Sequence, residues 1–374
     1  MSLRISALCV VLLGGGCMTG EAGEPQLGAV QQNSGGGCDE FMCGTNSPQI
    51  SEFGFWELNR PASLGVLGVP NNVGMQVYGF VKGGGVYLPE VRRGRLIAIP
   101  PTTAVAPYNT ALFGPNLIGG ALWLLNGSRL FQLKVSEVGT VKSWAQPADG
   151  SSQVMLESYK LDWTEFINGH WGDFRNMCKN PPSRENPDAL TMIGPTAFHT
   201  LLFEGDRIAA GAKVDTGVDN TWFNLGCAGS ALAKMALTGH TQAARNAQTF
   251  TTTLAQRTTM LKMLAADYCG DGKPFTVGGQ PLNWRDDAGT MKILSLLQSP
   301  PHPVVLEARW NETGAACLSK PRVDVNPTPD ATAMFGADVY DQVQNHCPAK
   351  MLPDCADGDV GAMNGYHLLS ATPI

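Results

Sequence analysis

The sequence predicts an α+β chain: a β-rich N-terminal domain, either a sandwich or a partial barrel, followed by a disulfide-stapled domain built on a helical hairpin and a strand. Three observations predict it. Short alternating apolar runs separated by Gly, Pro and Asn-Gly fill residues 50–215. Two stretches of helical period follow, at residues 227–237 and 253–268. Ten cysteines are spread along the 374 residues, behind a leader that reads as an export signal. Composition agrees: 44 Gly, 25 Pro and only 16% charged residues, against about 25% in ordinary soluble domains. The net charge of −6 and the absence of a basic stripe argue against nucleic acid as a partner, because that contact needs clustered Lys and Arg to displace counterions.

Arg4 supplies a positive start, residues 5–13 form a short apolar run, and Gly14, Gly15 and Gly16 offer small residues for cleavage. Residues 1–16 therefore read as a signal peptide; the run is well short of the ~20 residues a spanning helix needs. Cys17 follows at once, as in a lipobox, which predicts cleavage before Cys17 and acylation of its thiol. Gly14 stands where a lipobox prefers Leu, Val or Ile, so ordinary cleavage near Ala22 and simple secretion is the alternative. Residues 18–37 are rich in Gly, Glu, Gln and Ser and read as a tether. The expected arrangement is a lipidated tether over 17–45, attached to a membrane by its acyl chain, with an unidentified envelope or extracellular partner. Met18 lacks the acidic character associated with inner-membrane retention, which makes the outer membrane the expected site.

A β-rich domain is expected over 46–194. Its strands are residues 75–81, 86–88 after the Gly83-Gly84-Gly85 turn, 95–99 up to Pro100, 121–125, 130–135 and 154–161. Asn126-Gly127 reads as a type I′ hairpin turn, whose two central residues both need positive φ. The second domain, 195–374, opens with a helix capped by Asn224 and stopped at Gly239. Its second helix is expected to end at Gly270. Residues 303–310 read as a strand.

With Cys9 lost in the leader and Cys17 acylated, eight cysteines remain for bridges: Cys38, Cys43, Cys178, Cys227, Cys269, Cys317, Cys347 and Cys355. Cys38 and Cys43 would close a small loop. Cys227 at the start of one helix and Cys269 at the end of the next would meet in an antiparallel pair, which predicts a Cys227–Cys269 disulfide. Cys347 would join Cys355, or one of them Cys317, with Cys178 taking what is left.

Ala266-Asp267-Tyr268-Cys269-Gly270-Asp271-Gly272 resembles the signature of the ADYC domain, named for its first four letters. Trp222, Cys227-Ala228 and Ala233-Lys234-Met235 resemble its upstream part, and Ala308-Arg309-Trp310 with Cys317-Leu318 its downstream part. The resemblance spans about 195–325. It implies an exported protein or lipoprotein of myxobacterial type, and it implies no activity.

No catalytic, cofactor or metal residue is expected. The histidines (His170, His199, His240, His302, His346, His367) show no ligand spacing, and the acidic turn of Asp354, Asp357 and Asp359 lacks an EF-hand's terminal Glu. Cys227 with His240 is the nucleophilic alternative, and a secreted hydrolase of envelope or extracellular polymers the functional one. Asp267 would oppose the helix dipole, so a fixed partner such as Arg285 or Arg257 is expected.

Overall fold

The computed structural model describes residues 55–373, apart from 104, 107–108, 144, 146–153, 179–197, 210–212, 216–220, 243–251, 279, 281, 288–303, 348–350 and 356–364. The signal, the lipidation residue Cys17 and the Cys38–Cys43 loop lie outside the described residues, as do His302, Asp357 and Asp359.

One twelve-stranded antiparallel sheet dominates. It comprises β1 (Glu57–Asn59), β2 (Met75–Lys82), β3 (Gly85–Arg92), β4 (Arg95–Ile99), β5 (Leu112–Phe113), β6 (Ala121–Asn126), β7 (Arg129–Lys142), β8 (Met155–Ile167), β9 (His170–Trp171), β10 (Arg175–Asn176), β11 (His199–Glu204) and β14 (Trp222–Cys227). Their order is β1-β14-β11-β8-β7-β6-β2-β3-β4-β5, with β9 and β10 both on β8. Between β11 and β14, β12 (Arg207–Ala209) and β13 (Lys213–Asp215) form a separate two-stranded ribbon.

Alternation gives the sheet two faces. On the inner face Leu58, Val77, Phe80, Leu124, Leu133, Tyr159, Leu161, Leu202 and Phe223 form one buried cluster. The sheet curls around it. Leu96 N–H on β4 donates to the Tyr159 hydroxyl on β8 at 2.9 Å, and the Glu204 carboxylate on β11 accepts from Arg93 and Gly94 in the β3–β4 turn. The result is a partly closed barrel.

The outer face divides. Over β11 and β14 it is covered by α1 (Ala231–Thr238) and α2 (Leu254–Ala265), and beyond them by a four-stranded sheet. That sheet has the order β15 (Asn283–Asp286), β18 (Leu368–Pro373), β16 (Val304–Asn311), β17 (Gly314–Leu318). Three short helices, α3 (Arg322–Val325), α4 (Pro329–Phe335) and α5 (Val339–His346), close the far side. Over β2, β6, β7 and the end of β8 the outer face carries half-buried and exposed side chains.

The β-rich character is as predicted, and the sheet is larger than the periodicity showed. Strands β11 and β14 share it with β2–β8, so residues on both sides of 194/195 belong to one sheet. Residues 222–227 are strand, not the start of a helix; Asn224 pairs with Glu57 and Phe203. The helix begins after Ser230, whose hydroxyl accepts from Ala233 N–H. Asn224 looked like a cap because Ala228, Leu232 and Met235 share a helical face, but the Cys227–Ser230 turn lies between strand and helix. The helical pair is shorter than expected, and α2 ends at Ala266 in the left-handed region at φ 52°.

The turn chemistry was misassigned by one residue. Asn126 pairs with Arg129, so the loop there is Gly127-Ser128. The Asn-Gly turn with two positive φ angles is Asn168-Gly169 (51° and 85°), which joins β8 to β9 and went unread.

Candidate functional site

The signature segment builds a knot at the end of α2. Ala266 N–H and Asp267 N–H donate to the Met263 and Lys262 carbonyls, the paired bonds of a Schellman motif. In that motif the third residue from the helix end touches the second residue past it, usually through apolar groups. Here the contact is a buried ion pair, Lys262 Nζ to Asp267 Oδ2 at 2.8 Å. Lys262 also donates to the Gly270 carbonyl at 3.0 Å, and Gly272 N–H donates to Asp267 Oδ2 at 3.0 Å. Burial pushes the Asp267 carboxyl above its ordinary range, and Lys262 opposes that. The expected partners Arg285 and Arg257 were wrong: Asp267 lies past the helix end and turns back onto Lys262, while Arg257 pairs with Asp206 at 2.7 Å.

Each further letter has its own contact. The Tyr268 hydroxyl donates to Glu307 Oε1 at 2.6 Å, and its ring stacks on Trp310 with centroids 5.2 Å apart. Glu307 is held by Arg322 through both carboxylate oxygens, at 2.6 and 2.9 Å, and all three side chains are buried. Burial, followed by the Glu307 charge, raises the Tyr268 hydroxyl well above its ordinary pKa. Gly270 sits at φ 77°, and a Cβ there would fall 1.9 Å from the Thr313 carbonyl oxygen. Asp271 pairs with His346 at 2.7 Å. The signature is a structural joint, tying α2 to the small sheet and to α5.

Cys269 completes it, and the predicted Cys227–Cys269 bridge is overturned. Cys269 is bonded to Cys347 at the end of α5, with Cα atoms 5.3 Å apart. Cys227 is bonded to Cys178, also at 5.3 Å. The reason is the strand: Cys227 ends β14 opposite Thr200 of β11, and the Cys178 sulfur lies 3.2 Å from the Thr200 hydroxyl. Cys317 joins Cys355, one of the alternatives open in the sequence.

With Cys227 bonded to Cys178, the Cys227–His240 nucleophile is overturned. His240 is buried, with Nδ1 3.0 Å from the Thr238 hydroxyl and Nε2 3.7 Å from Asp286; burial lowers its pKa. A second constellation escaped the sequence. The Ser158 hydroxyl lies 2.9 Å from His199 Nδ1, and Glu137 lies 3.7 Å from Nε2. Ser158 and His199 are buried, and each His nitrogen faces the partner opposite to that of a hydrolase triad. A cleft of 240 Å³ among α3, α4 and α5 has two carboxylates, both engaged with the start of α5: Asp324 accepts from the Val339 and Tyr340 N–H groups, and Asp338 from that of Asp341. Among the described residues no group of three His, Cys, Asp or Glu side chains is placed to hold a metal.

The outward-facing candidate is the open half of the large sheet. Trp123 on β6, Tyr78 on β2, and Phe166 and Trp171 flanking the Asn168-Gly169 turn form a continuous aromatic row. Ring centroids step 6.5 Å from Tyr78 to Trp123, 5.8 Å to Trp171 and 5.1 Å to Phe166. Trp123 and Trp171 meet edge to face, a geometry that fixes both rings. Gln132 of β7 lies in register between Trp123 and Thr164. Its amide makes no hydrogen bond among the described residues. Phe174, 45% exposed, extends the row, with Lys134 of β7 over its ring. The sequence carried the signal: aromatics at Phe166 and Trp171 flank an Asn-Gly turn, and Trp123 alternates with core leucines.

Comparison with models of protein families matches residues 114–324 to the ADYC domain. That match begins well before the residues that carried the resemblance, taking in β6–β8 and thus most of the aromatic row. No curated protein and no solved structure matches the chain.

Proposed function

The chain belongs to the ADYC domain family, and on that premise we propose that it is an exported, disulfide-stapled binding module whose contact surface is the open aromatic half of the large sheet. The observation that carries the reading is the aromatic row itself, in which Phe166 is exposed and Tyr78, Trp123 and Trp171 are half-buried. Large apolar side chains left open to solvent together on a folded surface mark contact sites, and here they sit on rigid strands beside an uncommitted amide. Support for the compartment comes from the cysteines. Cys178, Cys227, Cys269, Cys317, Cys347 and Cys355 are joined in three pairs, an arrangement that persists in oxidising compartments and not in a reducing cytosol. In this reading Cys17 carries the acyl anchor, residues 18–45 hold the folded part off the outer membrane, and the partner is a component of the envelope or its surroundings.

The test is a pelleting assay. The full chain, purified without reductant, is mixed with isolated cell envelopes, beside Trp123→Ala and Trp171→Ala. Retention of the parent and its loss in both variants is expected. Equal retention of all three refutes the surface. In cells, a thiol label that reacts before any reductant is added refutes the compartment, and acyl labelling that survives Cys17→Ser refutes the anchor.

A further inference from the structure

We infer that the aromatic row binds an uncharged polysaccharide, an inference that rests on the contact surface proposed above. The rings form one contiguous aromatic surface, with centroids 5.1 to 6.5 Å apart and successive planes turned by 35° to 62°, and the C–H face of a sugar ring packs on such a surface. Recognition of sugars also needs hydrogen-bonding groups interleaved with the rings. Gln132, with both donor and acceptor capacity, and Thr164, whose hydroxyl donates to the Gly172 carbonyl at 2.7 Å and keeps its lone pairs, lie in the same cross-strand row as Trp123.

Charge decides the class of partner. On the row's own face the charged side chains of β7 and β8 are of opposite sign, Lys134 standing in register with Asp162. Asp162 accepts from Ser136 and Asn176. Lys134 also lies over the Phe174 ring at 5.0 Å. A face on which one cation is matched by one anion offers no cationic cluster to a polyanion or to an anionic lipid surface, which is held by clustered Lys and Arg. It suits a neutral chain that supplies hydroxyls and apolar ring faces. The rings are held by one another and by the sheet, so binding costs little side-chain ordering.

The experiment is affinity electrophoresis of the full unreduced chain through native gels containing a neutral β-glucan, α-glucan, xylan or mannan, with polygalacturonate as the charged comparison. Retardation by at least one neutral polymer is expected, weakened roughly three- to tenfold by Trp123→Ala, and likewise by Trp171→Ala, from the energy of one aromatic contact. Gln132→Ala is expected to weaken it without changing tryptophan emission of the free protein. Mobility unchanged in all four neutral gels overturns the inference, as does retardation by polygalacturonate alone or retardation indifferent to both tryptophans. Trp171 sits beyond the core on the β8–β9 hairpin, so its variant reports even if Trp123→Ala fails to fold. The pelleting assay separates the two levels. Tryptophan-dependent retention on envelopes with no neutral-glycan binding leaves the surface standing and removes the glycan; failure of both removes the surface.

Discussion

Replacing Arg322 by Met tests the joint at its most demanding point. Arg322, Glu307 and Tyr268 are buried together, and the guanidinium forks onto both carboxylate oxygens while donating to the Met263 carbonyl at 2.9 Å. Removing the cation strands a carboxylate that has left water, with only the Tyr268 hydroxyl and the residue-322 N–H (3.2 Å) still donating to it. Breaking a buried pair from one side costs about 3–5 kcal/mol. Adding Glu307→Leu removes the stranded charge, so most of that loss returns. What remains is the Tyr268 hydroxyl without an acceptor, worth about 1–3 kcal/mol, and Tyr268→Phe removes that too. The assay is equilibrium urea unfolding of the unreduced proteins, with every disulfide kept intact in every variant so that slopes stay comparable. The expected order is parent near the triple variant, then the double, with Arg322→Met lowest. If Arg322→Met costs under about 1 kcal/mol, or the double variant costs the sum of its singles, the signature's tyrosine does not work through this network.

Other outcomes follow from the same geometry. Gly270→Ala places a methyl against the Thr313 carbonyl at a left-handed backbone and is expected to cost at least about 2 kcal/mol in the same assay; a neutral result refutes the close approach. His240 titrates below its ordinary 6.5 because of burial. The unfolded chain therefore takes its proton first, stability falls as pH drops below about 6.5, and unfolding midpoints at pH 7.5 and 5.5 should show a smaller drop in His240→Asn. Glu57 and Asn224 face each other across β1 and β14, with Glu57 Oε2 and Asn224 Oδ1 both buried without a donor. Burial raises the Glu57 pKa against the opposing Arg207, so protonation of this carboxyl favours the folded chain. That stability is full below the ordinary carboxylate range and is lost as pH rises through the raised pKa. Glu57→Gln should flatten this part of the pH profile, and an unchanged profile rejects the raised Glu57 pKa.

Much of the barrel was legible because its strands alternate and end at Gly or Pro, as in residues 75–82 and 95–99. Strands β11 and β14 were not, because both of their faces are covered and the sequence shows no alternation: His199–Glu204 is buried throughout. The helix pair was legible, but its end at Ala266 was not, since a non-glycine residue occupies the left-handed position that Gly270 was expected to fill. The signature's importance could be read, but its partners could not. Glu307 and Arg322 stand 39 and 54 residues beyond Tyr268 in the sequence, and only the small sheet brings them to it. The aromatic row was missed because its members lie on four strands.

The order of the bridges has a consequence for biogenesis. Cys178 and Cys227 follow one another along the described chain, so an oxidase meeting cysteines as they emerge can join them directly. The other two links are threaded through each other: 269 to 347 and 317 to 355. An enzyme working strictly from front to back would couple 269 with 317, a mistake that thiol exchange must undo. Reaching the native connectivity therefore calls for a proofreading isomerase in the cell that makes this protein, and a host supplying only an oxidant is expected to accumulate scrambled product.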